Sequence, residues 1–215
     1  MDSLILGFGY KARQGKDTCA EAILKARGGQ FDIKRMSFAL ALKTEVNELY
    51  KLYWPQTHTV DETWRAVFEH CWKLGMPTRI IPADKPDLSD PLSPFGKQVG
   101  LLQWYGTEYR RAQNQDYWVE RFDDAVESNP ADFVLVTDVR FKNEADYILN
   151  NRGLVVKVSR TGYVDPTRSS THASECELDD YEFPVSIEAG NGEVEHLGKM
   201  AVAIFDVAAH TNPYK

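Results

Sequence analysis

Apolar residues fall along this chain in two rhythms. Short continuous runs stand at Leu4-Ile5-Leu6, Phe133 to Thr137 and Leu154 to Val158. Runs like these suit parallel strands buried on both faces. Phe31 to Ser37 alternates in part and predicts a further strand, and Pro184 to Ile187 predicts a last one. Between the runs the apolar spacing becomes helical. Helices are expected over 17–27, 38–53, 61–74, 95–113, 116–127, 144–150 and 193–209. Leu197, Met200, Ala201, Ile204 and Val207 form the core stripe of the closing helix. Gly28-Gly29, Pro55, Asn129-Pro130 and Gly153 punctuate the pattern. Strands alternating with helices predict an α/β chain with a doubly wound parallel sheet.

Two stretches break the rhythm. Residues 75–94 hold five prolines and predict an irregular surface excursion. Ser159 to Asp180 is polar and carries Arg160 and Arg168. A long structureless stretch inside a compact domain is often a lid, which predicts one here.

Length and composition narrow the class. The 215 residues, 43% hydrophobic, suffice for one domain over 1–215 with an ordinary core. No apolar run reaches ~20 residues, so no membrane span is expected. No secretory leader pattern is seen at the N-terminus. Three scattered cysteines fit a reducing cytoplasm. The net charge of −7 argues against direct nucleic-acid binding through overall charge. A small anion in a local basic site is compatible with it.

The chemistry concentrates where the first apolar run ends. Gly9 leads into a loop with Lys11, Ala12, Arg13 and Gln14, and Gly15-Lys16-Asp17-Thr18 then opens a helical pattern. A strand, a glycine loop and a helix in this order form the context of a phosphate-binding P-loop. Loop and helix N–H groups face the anion, and Lys16 reaches the β- and γ-phosphates. Five residues separate Gly9 from Gly15, where the usual motif has four. Asp17 stands at the usual hydroxyl position, with Thr18 behind it.

Ligands of doubly wound sheets sit beyond the carboxyl ends of the strands. Gly9, Asp138 and Ser159 all fall at such ends, so they are expected to line one crevice. Asp138, with Asp17 and Thr18, is the expected Mg²⁺ set, directly or through water. On the helix expected over 95–113, Gln103, Thr107, Arg110 and Arg111 share one side, and the two arginines suit bidentate phosphate binding. Arg160 and Arg168 are expected to close over the transferring group. The spacing from Ser170 to Glu175 is of the capping type, so His172 and Glu175 are candidates to start a helix.

With these residues in view, the chain resembles the bacteriophage deoxynucleoside monophosphate kinases. The resemblance rests on Gly9 to Thr18, Ser37 to Lys43, Leu101 to Arg111, Thr137 to Glu144 and His172 to Glu175. It implies a P-loop three-layer fold with a central parallel sheet, a helical acceptor-binding part over 38–130 and a lid over 159–180. It implies ATP as donor, Mg²⁺ as cofactor and small-molecule nucleotides as partners. The expected location is the cytoplasm, that of a host if viral, and the oligomeric state stays open, with a homodimer as one option. Lys16, Arg140, Arg160 and Arg168 become the catalytic candidates. Phe38, Lys43, Gln103, Thr107, Arg110 and Arg111 become the acceptor-binding candidates. Two alternatives stay open: a kinase for another small acceptor, of the coenzyme-A-precursor or phosphomevalonate type, and a non-catalytic nucleotide-binding protein.

Overall fold

The computed structural model describes residues 3–163 and 171–211. Five strands form one sheet: β1 (Leu4–Gly9), β2 (Ile33–Met36), β3 (Phe133–Val139), β4 (Leu154–Arg160) and β5 (Val185–Ala189). Their order is β2-β3-β1-β4-β5, and every pairing is parallel. Each crossover therefore needs a helix or a longer excursion, and alternation in the sequence supplies it. Around the sheet lie α1 (Lys16–Arg27), the end of α5 (Tyr117–Ser128), α6 (Lys142–Asn150) and α8 (Val194–His210).

The strand alternation divides the core in two. Leu4, Leu6 and Phe8 pack on one face with Cys19, Ile23, Leu197 and Phe205. Ile5, Val134 and Val136 pack on the other with Phe122, Ala145 and Ile148. Gly7 lies where α6 comes closest: a Cβ there would stand 2.6 Å from Ile148 Cδ1. Where β1 runs beside β3 the register shifts between Gly7 and Gly9, just before the glycine loop.

The chain divides into two compact units. Ala39–Trp118 is one, and the sheet with its covering helices is the other. The first unit contains α2 (Ala39–Tyr53), α3 (Val60–Lys73), α4 (Val99–Gln103) and a π-helical stretch, Trp104–Arg111. Tyr50, Trp64, Phe68 and Leu101 centre its core. The long helix expected over 95–113 forms from Val99 onward and runs unbroken to residue 113, after four irregular residues. α4 is its first five residues, and Trp104–Arg111 is wound more widely.

Residues 75–94 are irregular, as their prolines predict, but they are pinned. The Trp64 indole N–H donates to Phe95 O and that of Trp72 to Ile80 O, each at 3.0 Å. Lys43 pairs with Asp90 at 2.8 Å, with both side chains largely buried. This pair, with desolvation working against it, holds the Asp90 carboxyl below its ordinary value.

A cluster of three phenylalanines should show how much α8 contributes. Phe205 meets Phe133 at 4.6 Å and Phe31 at 5.8 Å between ring centroids, and is fully buried. Phe205→Ala is expected to cost about 3–5 kcal/mol, read as a lowered midpoint in urea with little change of slope.

Candidate functional site

The loop between β1 and α1 folds back on itself. Tyr10 has φ 97, Arg13 has φ 56 and Gly15 has φ 102. Left-handed backbone at a non-glycine costs about 1–3 kcal/mol and persists only when its surroundings enforce it. Around Tyr10 the surroundings are visible. The Lys157 ammonium stands 4.3 Å over its ring, and the ring packs against the core face that holds Ile148. The longer spacing between the glycines is thus accommodated by a strained turn as the chain leaves β1. At the other end, Gly15 faces Leu197 of α8: a Cβ would lie 2.5 Å from Leu197 Cδ2.

Lys16 is the first residue of α1 and is only 5% exposed. It is not the solvent-facing lysine that a surface loop leads one to expect. Its ammonium donates to Tyr10 O at 3.2 Å and to Lys11 O. Burial, and after it the charge of Arg140, lower its pKa from 10.5 to about 7 against the opposing charges of Asp17, Glu175 and Asp138. One lysine from the loop, one arginine beyond β3 and three carboxylates from separate segments therefore act on one another. This gathering follows from the topology, because β1 and β3 are neighbours and both end here.

The expected residues of the loop and of the end of β3 each have a definite place. Lys11 pairs with Asp179 at 2.9 Å. The Ala12 N–H donates to Glu175 Oε2 at 3.1 Å. Gln14 is buried, and its Oε1 accepts the Arg160 N–H at 2.6 Å. Asp17 is exposed, bonded to Arg35 and to the Thr137 hydroxyl, the latter at 2.8 Å. Thr18 follows it in the first turn of α1. The N–H groups of that turn have no intrahelical partners, which is what makes a helix N-terminus an anion site. Asp138 accepts the Ser37 hydroxyl at 2.6 Å and the Phe38 N–H at 3.2 Å. Arg140 donates to Glu175 Oε1 at 3.1 Å. Among the described residues no group of three or more His, Cys, Asp or Glu side chains could by itself hold a metal ion.

Several expectations are corrected. The Phe38 side chain is buried against Phe122, 4.2 Å between centroids. Lys43 is committed to Asp90. Arg110 donates through Nε to Glu45 Oε2 at 2.9 Å and through Nη2 to the Tyr105 hydroxyl at 2.9 Å. A π-helix brings residues five apart onto one side, as Tyr105 and Arg110 are. Tyr117 also donates to Glu45, at 2.6 Å. Arg111 donates to Gln115 O at 3.0 Å, while Gln103 and Thr107 are half-buried in the same unit.

Ser159 and Arg160 are the end of β4 and not the start of a loop. Arg160 donates to Arg13 O at 2.9 Å and to Asn191, and its guanidinium lies 4.2 Å over the Tyr163 ring. It braces the glycine loop. Arg168 lies outside the described residues. His172 caps the short helix α7 (Ala173–Cys176), as the spacing suggested, with Nδ1 accepting the Ser174 N–H at 3.2 Å. Sequence reasoning missed Arg35, Thr137 and Glu45. Thr137 directly precedes Asp138, and that adjacency was the available signal. Arg35 and Glu45 offered none.

The fold and this junction define a parallel α/β protein with opposed charges gathered at the carboxyl ends of its inner strands. No protein-family profile matches the chain. It is 31% identical over 202 residues to a protein of Acanthamoeba polyphaga mimivirus described as "Putative deoxynucleotide monophosphate kinase", covering 92% of this chain and 94% of that one. The chain belongs to the deoxynucleotide monophosphate kinase family. This relative comes from an amoeba virus, so a bacteriophage origin does not follow from it. An unliganded sugar kinase from a Janibacter species covers 97% of both chains at 10% identity and a TM-score of 0.43, too distant a likeness to bear on the site. No helix among the described residues is long and apolar enough to cross a membrane.

Two measurements test this description. With Lys16 at about 7 when folded and 10.5 otherwise, the unfolded chain binds more protons between those values. Stability is then expected to rise with pH across that window. Urea midpoints from pH 7 to 9 should rise in the wild type relative to Lys16→Met. In the helical unit, Glu45→Ala leaves Arg110, Tyr105 and Tyr117 without their shared acceptor. A cost of about 1.5–3 kcal/mol is expected, read by thermal melting, with Arg110→Ala adding little to it.

Proposed function

We propose that this protein transfers the γ-phosphate of ATP to a deoxynucleoside monophosphate, releasing ADP and the deoxynucleoside diphosphate. The observation that carries this reading is the buried Lys16 ammonium at the start of α1, within electrostatic reach of Arg140, Asp17 and Asp138. Phosphoryl transfer asks little covalent chemistry of a protein and much positioning and charge. In this reading residues 9–18 are a P-loop. Its helix N-terminus and Lys16 receive the donor phosphates, which replace the Tyr10 and Lys11 carbonyls as partners of the ammonium. A polyphosphate beside it favours the charged form of Lys16.

Mg²⁺ typically keeps several waters and binds through one or two carboxylates plus phosphates. Asp17, exposed beside Thr137, and Asp138 fit that demand without a closed protein cage. They would hold the ion, with Thr18 adjacent, and the ion would neutralise charge on the phosphates. Arg140 is assigned to the transferring group, and Arg160 keeps the loop in shape from the end of β4. Gln103, Thr107 and Arg111 are assigned to the acceptor. Arg110 is assigned to support them from within the Glu45 network. The family membership supports the acceptor class, since the mimivirus relative's description names a deoxynucleotide monophosphate.

A coupled ADP-release assay with each of the four deoxynucleoside monophosphates tests the proposal. Turnover on at least one is expected, with Lys16→Ala lowering kcat by about 100-fold or more while the fold persists. Release of ADP without phosphorylated nucleotide, or near-normal kcat in that variant, would sink it.

A further inference from the structure

The segment after α7 is fastened to the site by carboxylates. Glu177 Oε1 accepts the Lys142 N–H at 3.1 Å, Asp180 pairs with the Lys142 ammonium at 2.9 Å, and Asp179 pairs with Lys11. The two ion pairs are at the surface and would be worth little alone. The fourth carboxylate differs. Glu175 is 7% exposed, and its two oxygens point to different elements. Oε2 accepts the Ala12 N–H of the glycine loop, and Oε1 accepts the Arg140 guanidinium. It also acts on the charge of Lys16.

We infer that Glu175 is a positioning residue that sets the glycine loop and Arg140 at one fixed separation. This inference rests on the phosphotransferase reading for its effect on turnover, but not for its effect on the loop. A carboxylate is a flat two-acceptor bridge. With one oxygen on each partner, the loop and the guanidinium cannot move independently without leaving a buried charge half-satisfied, which is costly. Arg140 is held from a second side as well, because its backbone N–H donates to Glu144 at 2.8 Å. The backbone contact fixes where Arg140 begins, and Glu175 fixes where its side chain ends. Transition-state stabilisation depends on charges placed in advance of the reaction, so such a bridge acts on kcat through Arg140.

Glu175→Gln preserves size and can accept at one oxygen only, since its amide nitrogen repels whichever donor it meets. Expected are a loss of kcat of about tenfold to 100-fold, a rise in KM for ATP of only a few-fold, and non-additivity with Arg140→Gln. The double variant should be no slower than the worse single one. Asp180→Asn, which removes a neighbouring exposed pair, should leave kcat unchanged. Losses that add in the double variant, or that follow the melting temperature across all variants, would overturn the inference and leave Glu175 as scaffolding. Tighter ADP binding in Glu175→Gln would also overturn it, because the carboxylate would then be a displaceable stand-in for phosphate.

A readout without nucleotide separates this inference from the function. Hydrogen exchange of the Ala12 amide should quicken by at least tenfold in Glu175→Gln, and Arg140→Gln should quicken it less. If the wild type transfers phosphate to nothing but the exchange behaves so, the proposed reaction fails and the bridge stands. If turnover is found but the Ala12 amide exchanges alike in both proteins, the reaction stands and the bridge fails.

Discussion

One buried ammonium constrains the whole junction. Lys16 leaves water at the start of α1, and an amine in that position requires acceptors. The nearest acceptors are the carbonyls of its own loop, at Tyr10 and Lys11. For those carbonyls to face inward the backbone turns left-handed at Tyr10, Arg13 and Gly15. The three positions draw in two elements: β4 through Lys157 over the Tyr10 ring and through Arg160 on the Arg13 carbonyl, and α8 through Leu197 against Gly15. Satisfying one charge thus organises contacts on both faces of the sheet.

Charge balance around the junction is local. The protein is acidic overall, at −7, yet Lys11, Lys16, Arg35, Arg140 and Arg160 converge near the ends of four strands. Repulsion among them is offset by carboxylates that arrive from distant parts of the chain: Asp17 opposite Arg35, Asp179 opposite Lys11, and Glu175 opposite Arg140. A site arranged so can admit a polyanion without first assembling its cations. Specific pairs of this kind give orientation more than net stability.

The strands were readable because burial on both faces leaves continuous apolar runs, and β1, β3 and β4 appear where Leu4, Phe133 and Leu154 begin them. The glycine loop was readable for the same local reason, since Gly15 and Lys16 stand next to each other in the chain. Pairings across the fold were not. Nothing in the order of residues says that Arg110 turns to Glu45, 65 positions away, or that Gln14 turns inward to the Arg160 amide. The inward packing of Phe38 was not readable, because a lone aromatic beside a polar motif gives no sign of which way it faces. The helix expected over 95–113 is present from Val99 and differs in its winding: helical spacing cannot distinguish α from π turns, and five-residue neighbours such as Tyr105 and Arg110 appear only in the second.

That winding has a bearing on length. A π turn is an α-helix carrying a residue that its register cannot absorb, and the surplus is held here by what surrounds it. The Gly106 carbonyl takes the Trp118 indole at 2.9 Å, and the absent Cβ of Gly106 leaves room for Leu42. Removing a single residue from within Trp104–Arg111 would let the stretch relax to ordinary α pitch with the helix on either side still facing as it does now, because the extra residue is what the wider turn takes up. The same removal from a regular helix would turn everything after it by about 100° around the axis. For this helix, the surplus residue marks where the chain can change in length without turning the residues that follow.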